Sequence, residues 1–206
     1  MKRASFAVAA TTFAVLGIAG PAQAAPAQVT QIRFSGSEVE ASWRVDSGTT
    51  QIDTTVMAIQ SKRSPELYVA RMVFDDSGIT ETTADVTSGY AFAIDLPHLG
   101  DATLTATALP AETCTYDSEY NQIGCDATTV DVSVAWNATS PVTHTVVTDR
   151  FQGPGVLLTD HYNGKTRAAT ASGTYNGSPL TSDDPGSADL AIVKQGFTQV
   201  CLGGTC

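Results

Sequence analysis

Apolar and polar residues alternate along much of the chain. Between residues 38 and 45 every odd position is apolar and every even position is polar. Successive side chains of a β-strand point to opposite faces, so this pattern predicts a strand with one buried and one solvated face. Apolar residues also occupy every second position in three later segments, at residues 90–96, 102–108 and 130–136, with alanine at some of the intervening positions. Trp43 and Trp136 fall on the apolar faces, which predicts that both are core residues.

Turn signals separate the alternating segments. Asn163-Gly164 and Asn176-Gly177 are typical of type I′ hairpin turns, because Asn and Gly adopt positive φ at low cost. Residues 67–74 are almost continuously apolar, interrupted by Arg71, as in a central strand. About ten short strands with turns every 8–12 residues predict an all-β fold. We expect an antiparallel β-sandwich, immunoglobulin-like or jelly-roll-like, with a β-barrel as the alternative.

The first 24 residues have the layout of a secretory signal peptide. Lys2 and Arg3 precede an apolar run from residue 4 to residue 20, and Ala22-Gln23-Ala24 is a small-x-small cleavage site. We therefore expect a secreted, extracellular protein with a single β-sandwich domain at residues 25–206. Two small β domains, at residues 26–110 and 128–200, are the alternative. The scarcity of lysine, four residues in all, indicates a high-GC bacterial source.

The net charge excludes several classes of partner. The chain has 11 basic and 21 acidic residues, a formal charge of −10. The signal peptide carries two of the basic residues and none of the acidic ones, so the mature chain has 9 against 21, or −12. Phosphate backbones and anionic lipids need clustered cations, so neither nucleic acid nor an anionic membrane is an expected partner. No later stretch is apolar enough to predict a membrane span after signal cleavage.

Four cysteines all lie in the predicted mature part, in an oxidising compartment where disulfides persist. They occur as two close pairs, Cys114 with Cys125 and Cys201 with Cys206. Three pairings are open, of which we favour the local one. Neither spacing matches a redox-active or zinc-binding motif, so structural disulfides are predicted. A Cys114–Cys125 bond would close a loop of about 12 residues and stabilise the fold by roughly 2–3 kcal/mol.

The loop between Cys114 and Cys125 is the predicted binding site. It carries aromatic and acidic side chains on a constrained segment, Tyr116, Asp117, Glu119 and Tyr120. Its oxygen ligands also make it a weak candidate for calcium, through Asp117, Glu119, Asn121 and Asp126. The spacing departs from the helical calcium loop, because the glycine comes too late and Thr128 replaces the bidentate glutamate. No other cofactor is expected.

No catalytic constellation is evident. The three histidines are His98, His144 and His161. Asp160 adjoins His161, but neighbours on a strand point to opposite faces. The chain has no G-x-S-x-G elbow, so no catalytic residue is predicted.

The sequence therefore favours a secreted, non-enzymatic module that binds an extracellular protein or glycan through its loops. One alternative is a secreted hydrolase whose site is assembled from distant residues. The other is a secreted protease inhibitor that presents the loop at residues 114–125. The ligand and the oligomeric state are left open.

Overall fold

A computed structural model of the chain describes residues 11–13, 28–61, 65–154, 156–182 and 187–201, with side chains for all but the first of these ranges. Within these residues the structure consists of strands and turns. The strand pairs whose register is defined are all antiparallel. The predicted all-β antiparallel class is thus confirmed. Of the predicted signal peptide, only Thr11–Phe13 belongs to the described residues, as a short strand.

The described strands are β1 (Thr11–Phe13), β2 (Gln28–Ser47), β3 (Thr50–Ser61), β4 (Glu66–Asp75), β5 (Gly78–Val86), β6 (Tyr90–Ile94), β7 (Asp101–Tyr116), β8 (Gln122–Ala138), β9 (Thr143–Gly153), β10 (Val156–Tyr175), β11 (Ser178–Pro179) and β12 (Ala188–Cys201). They pair in the order β1-β2-β12-β10-β8-β7-β5-β4-β3, and β3 also pairs with β2, so this path returns to its second strand as a ring. β6, β9 and β11 branch from the path at β7, β10 and β10.

The two Asn-Gly sequences have different outcomes. Asn176-Gly177 forms the predicted tight turn between β10 and β11, with φ of 48° and 76°. The turn predicted at Asn163-Gly164 is wrong, because both residues lie inside β10. Gly164 is buried, and a Cβ there would lie 2.3 Å from the hydroxyl of Tyr162. The glycine therefore makes room for a neighbouring aromatic side chain instead of turning the chain.

Two compact units make up the chain, and each joins segments that are distant in sequence. The core unit comprises residues 36–143 and 165–192, and the second unit comprises residues 1–35, 144–164 and 193–206. The single domain predicted for residues 25–206 stays a prediction. No helix in the described part of the chain could span a membrane.

The core unit buries the apolar faces that the alternation predicted. Its largest fully buried side chains are Trp136, Leu67, Leu99, Leu104, Leu109, Leu190, Val39, Val56, Val69, Val132 and Val134. Trp43 and Trp136 are 6% and 0% exposed, as expected of core residues. The indole Nε1–H of Trp136 donates to the carbonyl of Glu40 at 2.9 Å, so its polar atom is satisfied. Gly173 lets β10 approach β8, since a Cβ there would lie 2.2 Å from the Ser133 carbonyl.

Polar side-chain contacts link the described strands of the second unit. β9 is exposed along nearly its whole length, including Val146, Val147 and Phe151. Across to β10, His144 is hydrogen-bonded to Asn163. The amide of Gln195 on β12 donates to both carboxylate oxygens of Asp160 on β10 at 3.2 and 3.0 Å.

Candidate functional site

The hairpin of β7 and β8 carries the predicted binding residues. Cys114 and Cys125 face each other in its antiparallel register and form a disulfide, which confirms the first predicted pairing. The bond ties the two strands together a few residues below the turn. Cys201 is buried, and Cys206 lies outside the described residues, so the second pairing stays a prediction.

Asp117 organises the turn of this hairpin. Its Oδ1 accepts hydrogen bonds from the backbone N–H groups of Glu119 and Asn121, each at 2.9 Å. Its backbone N–H donates to the Asn121 carbonyl, and its carbonyl accepts from the N–H of Tyr120. The backbone and side-chain hydrogen bonds from Asn121 lower the pKa of Asp117. The charged carboxylate therefore fixes the backbone of the turn.

Two large side chains stand exposed at this tip. Tyr120 has a positive φ of 66° and is 74% exposed, and Ile123 is 69% exposed. Ile123 lies where the register shifts, between the pairs Thr115–Gly124 and Tyr116–Gln122. A residue at such an irregularity has no partner directly opposite, which leaves its side chain outside the regular packing. We call Tyr120 and Ile123 the hairpin tip.

The structure separates Tyr116 from the hairpin tip. Its hydroxyl donates to a carboxylate oxygen of Glu81 on β5 at 3.4 Å, and the side chain is half-buried. Desolvation and the charge of Glu81 raise the pKa of Tyr116. Tyr116 thus packs across the sheet, whereas Tyr120 and the exposed Glu119 remain available at the turn.

The calcium candidates are only partly brought together. Asp117 and Asn121 are in contact, but the Asn121 side-chain amide donates to both carboxylate oxygens of Asp117, at 3.3 and 3.1 Å. Asp126 stands opposite Thr113 in the ladder, below the disulfide. The possible ligand atoms of a second group, on Glu112, Cys114 and Cys125, lie within 4.8 Å of one another. Both sulfurs of that group belong to the disulfide and are not thiolate ligands.

In the described residues, none of the three histidines has a serine as its side-chain hydrogen-bond partner. Their polar partners are Asp95 for His98, Asn163 for His144 and Thr148 for His161. His98 contacts a carboxylate, at 3.3 Å, but its side chain is 80% exposed. Neither His144 nor His161 has a serine or a carboxylate as its hydrogen-bond partner. This geometry gives no support to a nucleophilic hydrolase site at these residues.

Sequence reasoning missed two features. The exposure of Ile123 depends on a register shift, which the alternation does not encode. Arg71 points inward from β4 and lines a cavity in the core unit. Its interruption of the apolar run at residues 67–74 was the available signal.

No protein-family model matches the chain, and neither curated proteins nor solved structures gave a match.

Proposed function

We propose that the chain is an extracellular, non-enzymatic binding module and that its hairpin tip contacts a partner protein. The supporting observation is that Tyr120 and Ile123 stand exposed on a turn held by a disulfide and by the hydrogen bonds of Asp117. Exposed large apolar side chains on a constrained loop are a common feature of protein contact sites.

The fixed turn favours tight association. A partner gains contact area from the Tyr120 ring at low entropic cost, because tyrosine has few rotatable bonds. The Cys114–Cys125 bond and the Asp117 carboxylate order the backbone before the partner arrives. Ordering a loop in advance lowers the entropy lost on binding.

A projecting tip suits a concave protein surface. Glycan sites are usually concave or carry a flat aromatic platform, and in this turn Tyr120 is the exposed aromatic residue. An inhibitor of proteases would offer an extended strand to the enzyme. Here the backbone between Asp117 and Asn121 is instead closed on itself by two hydrogen bonds. The protein-binding function is therefore the one that the geometry supports best.

The test compares the double variant Tyr120→Ala/Ile123→Ala with the wild-type chain in cross-linking to the secreted proteins of the source culture. Leu96→Ala is the matched control, because Leu96 is also an exposed apolar residue, 48% accessible, at another place in the core unit. We expect one partner to be captured by wild type and Leu96→Ala, and at least tenfold less by the double variant.

Stability and glycan binding are measured on the same proteins. Thermal unfolding should be unchanged in the double variant, because both side chains are exposed. Capture that is equal in the double variant, or absent in wild type, would contradict the proposal. Glycan-array binding lost in the double variant would assign the tip to a glycan instead of a protein.

A further inference from the structure

A polar cavity of about 210 Å³ lies in the core unit. Inward-facing residues of β4, β5, β7, β8 and β10 form its wall, among them Arg71, Thr80, Thr82, Thr113, Thr128 and Tyr175. Thr128 and Asn176 are exposed, so the cavity opens to solvent on that side. Its volume is larger than that of a cavity of ~150 Å³ that can hold benzene, so a small organic molecule would fit.

The strand register explains why polar groups collect here. Thr54, Arg71, Thr82 and Thr113 are successive partners across β3, β4, β5 and β7. They therefore form one inward-facing row. Within this row the Thr54 hydroxyl accepts a hydrogen bond from Arg71, and the hydroxyls of Thr82 and Thr113 are 2.9 Å apart.

Arg71 has unused hydrogen-bonding capacity. One of its terminal nitrogens donates to Thr54 Oγ1 at 3.1 Å, and its guanidinium carbon lies 5.0 Å from the centre of the Tyr175 ring. A guanidinium has five N–H donors. Among the described residues, no carboxylate oxygen lies within 4.0 Å of a guanidinium nitrogen of Arg71. A half-buried charge without a counter-ion is costly, and an anionic ligand would remove that cost.

We propose that this cavity binds a small organic carboxylate, held by the guanidinium of Arg71 and the threonine hydroxyls around it. The planar fork of an arginine matches the two oxygens of a carboxylate. A monoanion balances the single positive charge. A phosphate dianion would leave excess negative charge in a half-buried site of a protein with net charge −10.

Tyr175 supports the same assignment. It is buried, and it lines the cavity together with Arg71 and Thr82. Burial raises the pKa of Tyr175, although Arg71 and Thr82 oppose this effect. The hydroxyl is therefore protonated at neutral pH and remains a hydrogen-bond donor. The ring lies 5.0 Å from the guanidinium carbon of Arg71 and forms part of the cavity wall beside it.

The experiment is calorimetric titration of the purified chain with acetate, benzoate and glucuronate, and with inorganic phosphate for comparison. We expect saturable binding of at least one carboxylate, and weaker or no binding of phosphate. Arg71→Met should weaken that binding at least tenfold. Arg71→Lys should also weaken it, because lysine keeps the charge and loses the fork.

Arg44→Met is the matched control. It removes the same charge from the outward face of β2, where Arg44 is bonded to Asp53, and should leave carboxylate binding unchanged. A second readout uses wild type alone: the Nε–Hε NMR signal of Arg71 should shift with the same saturation curve. This readout keeps the proposal testable if Arg71→Met does not fold.

Three outcomes would overturn the proposal: no saturable carboxylate binding, equal binding by folded Arg71→Met, or a preference for phosphate. The result is independent of the proposed protein-binding function. The Tyr120→Ala/Ile123→Ala variant should bind carboxylates as wild type does, because neither residue lines the cavity.

Discussion

The inward face of β4 changes character along its length. Val69 is buried in the apolar core, whereas Arg71, two positions later, lines a polar cavity. Neighbouring β5 changes at the same level, from the buried Ala84 to Thr82. We call the part of the interior around Val69 and Ala84 the apolar end, because it is filled with apolar side chains. We call the part around Arg71 and Thr82 the polar end, because it contains the cavity. This difference is what we expect if the apolar end supplies stability and the polar end binds the proposed carboxylate.

The apolar end should respond most strongly to truncation. We expect Trp136→Ala to lower the free energy of unfolding by about 3–5 kcal/mol, because it removes a fully buried indole and leaves a cavity. Trp136→Phe keeps much of the volume and leaves the Glu40 carbonyl without its donor, so its cost should be about 1–3 kcal/mol. Denaturant unfolding followed by circular dichroism measures both. A cost for Trp136→Ala below that for Trp136→Phe would be incompatible with this packing.

The hairpin near the polar end should depend on its covalent bond. Replacing both Cys114 and Cys125 by serine is expected to cost about 2–3 kcal/mol, since the unfolded chain regains the entropy of a loop of about 12 residues. Unfolding of this variant is compared with that of wild type under non-reducing conditions. An unchanged midpoint would show that burial alone holds the hairpin.

Arg71→Met is expected to have a smaller effect on stability than either change above. It loses the Thr54 hydrogen bond and the Tyr175 contact, each worth about 1 kcal/mol. It also removes the desolvation cost of a half-buried charge, so the net loss should stay below about 1.5 kcal/mol. The measurement is denaturant unfolding without ligand. A loss as large as that of Trp136→Ala would make Arg71 a structural residue and remove the contrast between the two ends.

The smallest expected effect lies on the outer surface at the apolar end. Burial, followed by the charges of Glu40 and Glu66, raises the pKa of Glu38 above 4.5. The folded chain therefore binds this proton more tightly than the unfolded chain, and ionisation at neutral pH reduces stability. Glu38→Gln should thus be more stable than wild type at pH 7, and its advantage should disappear as the pH falls through the raised pKa towards 4.5.

Melting temperatures at pH 7 and at pH 4 test this prediction. Glu119→Gln serves as the control for net charge, because it removes one exposed carboxylate at the hairpin turn. An advantage of Glu38→Gln that persists unchanged at pH 4 would exclude ionisation of Glu38 as its cause.

The sequence was sufficient for features that depend on local alternation. The parity of Trp43 and Trp136 placed both in the core, and the spacing of Cys114 and Cys125 predicted their bond. Features that depend on pairing between strands were out of reach. Asn163-Gly164 had the local chemistry of a turn, but its glycine accommodates the Tyr162 ring inside β10.

The cavity was hidden for the same reason. Arg71 was visible in the sequence as an interruption of an apolar run, but the sequence does not show which strands lie beside β4. Only the pairing of β3, β4, β5 and β7 brings Thr54, Thr82 and Thr113 alongside it. The exposed position of Ile123 likewise follows from a register shift between β7 and β8.

The most direct test of the contrast between the two ends is a crystal structure of the chain soaked with benzoate. We expect a benzoate in the cavity of the core unit, with its carboxylate oxygens about 2.7–2.9 Å from the guanidinium nitrogens of Arg71. A structure in which a carboxylate of the chain itself occupies that position, or in which the cavity holds no benzoate at saturation, would contradict it.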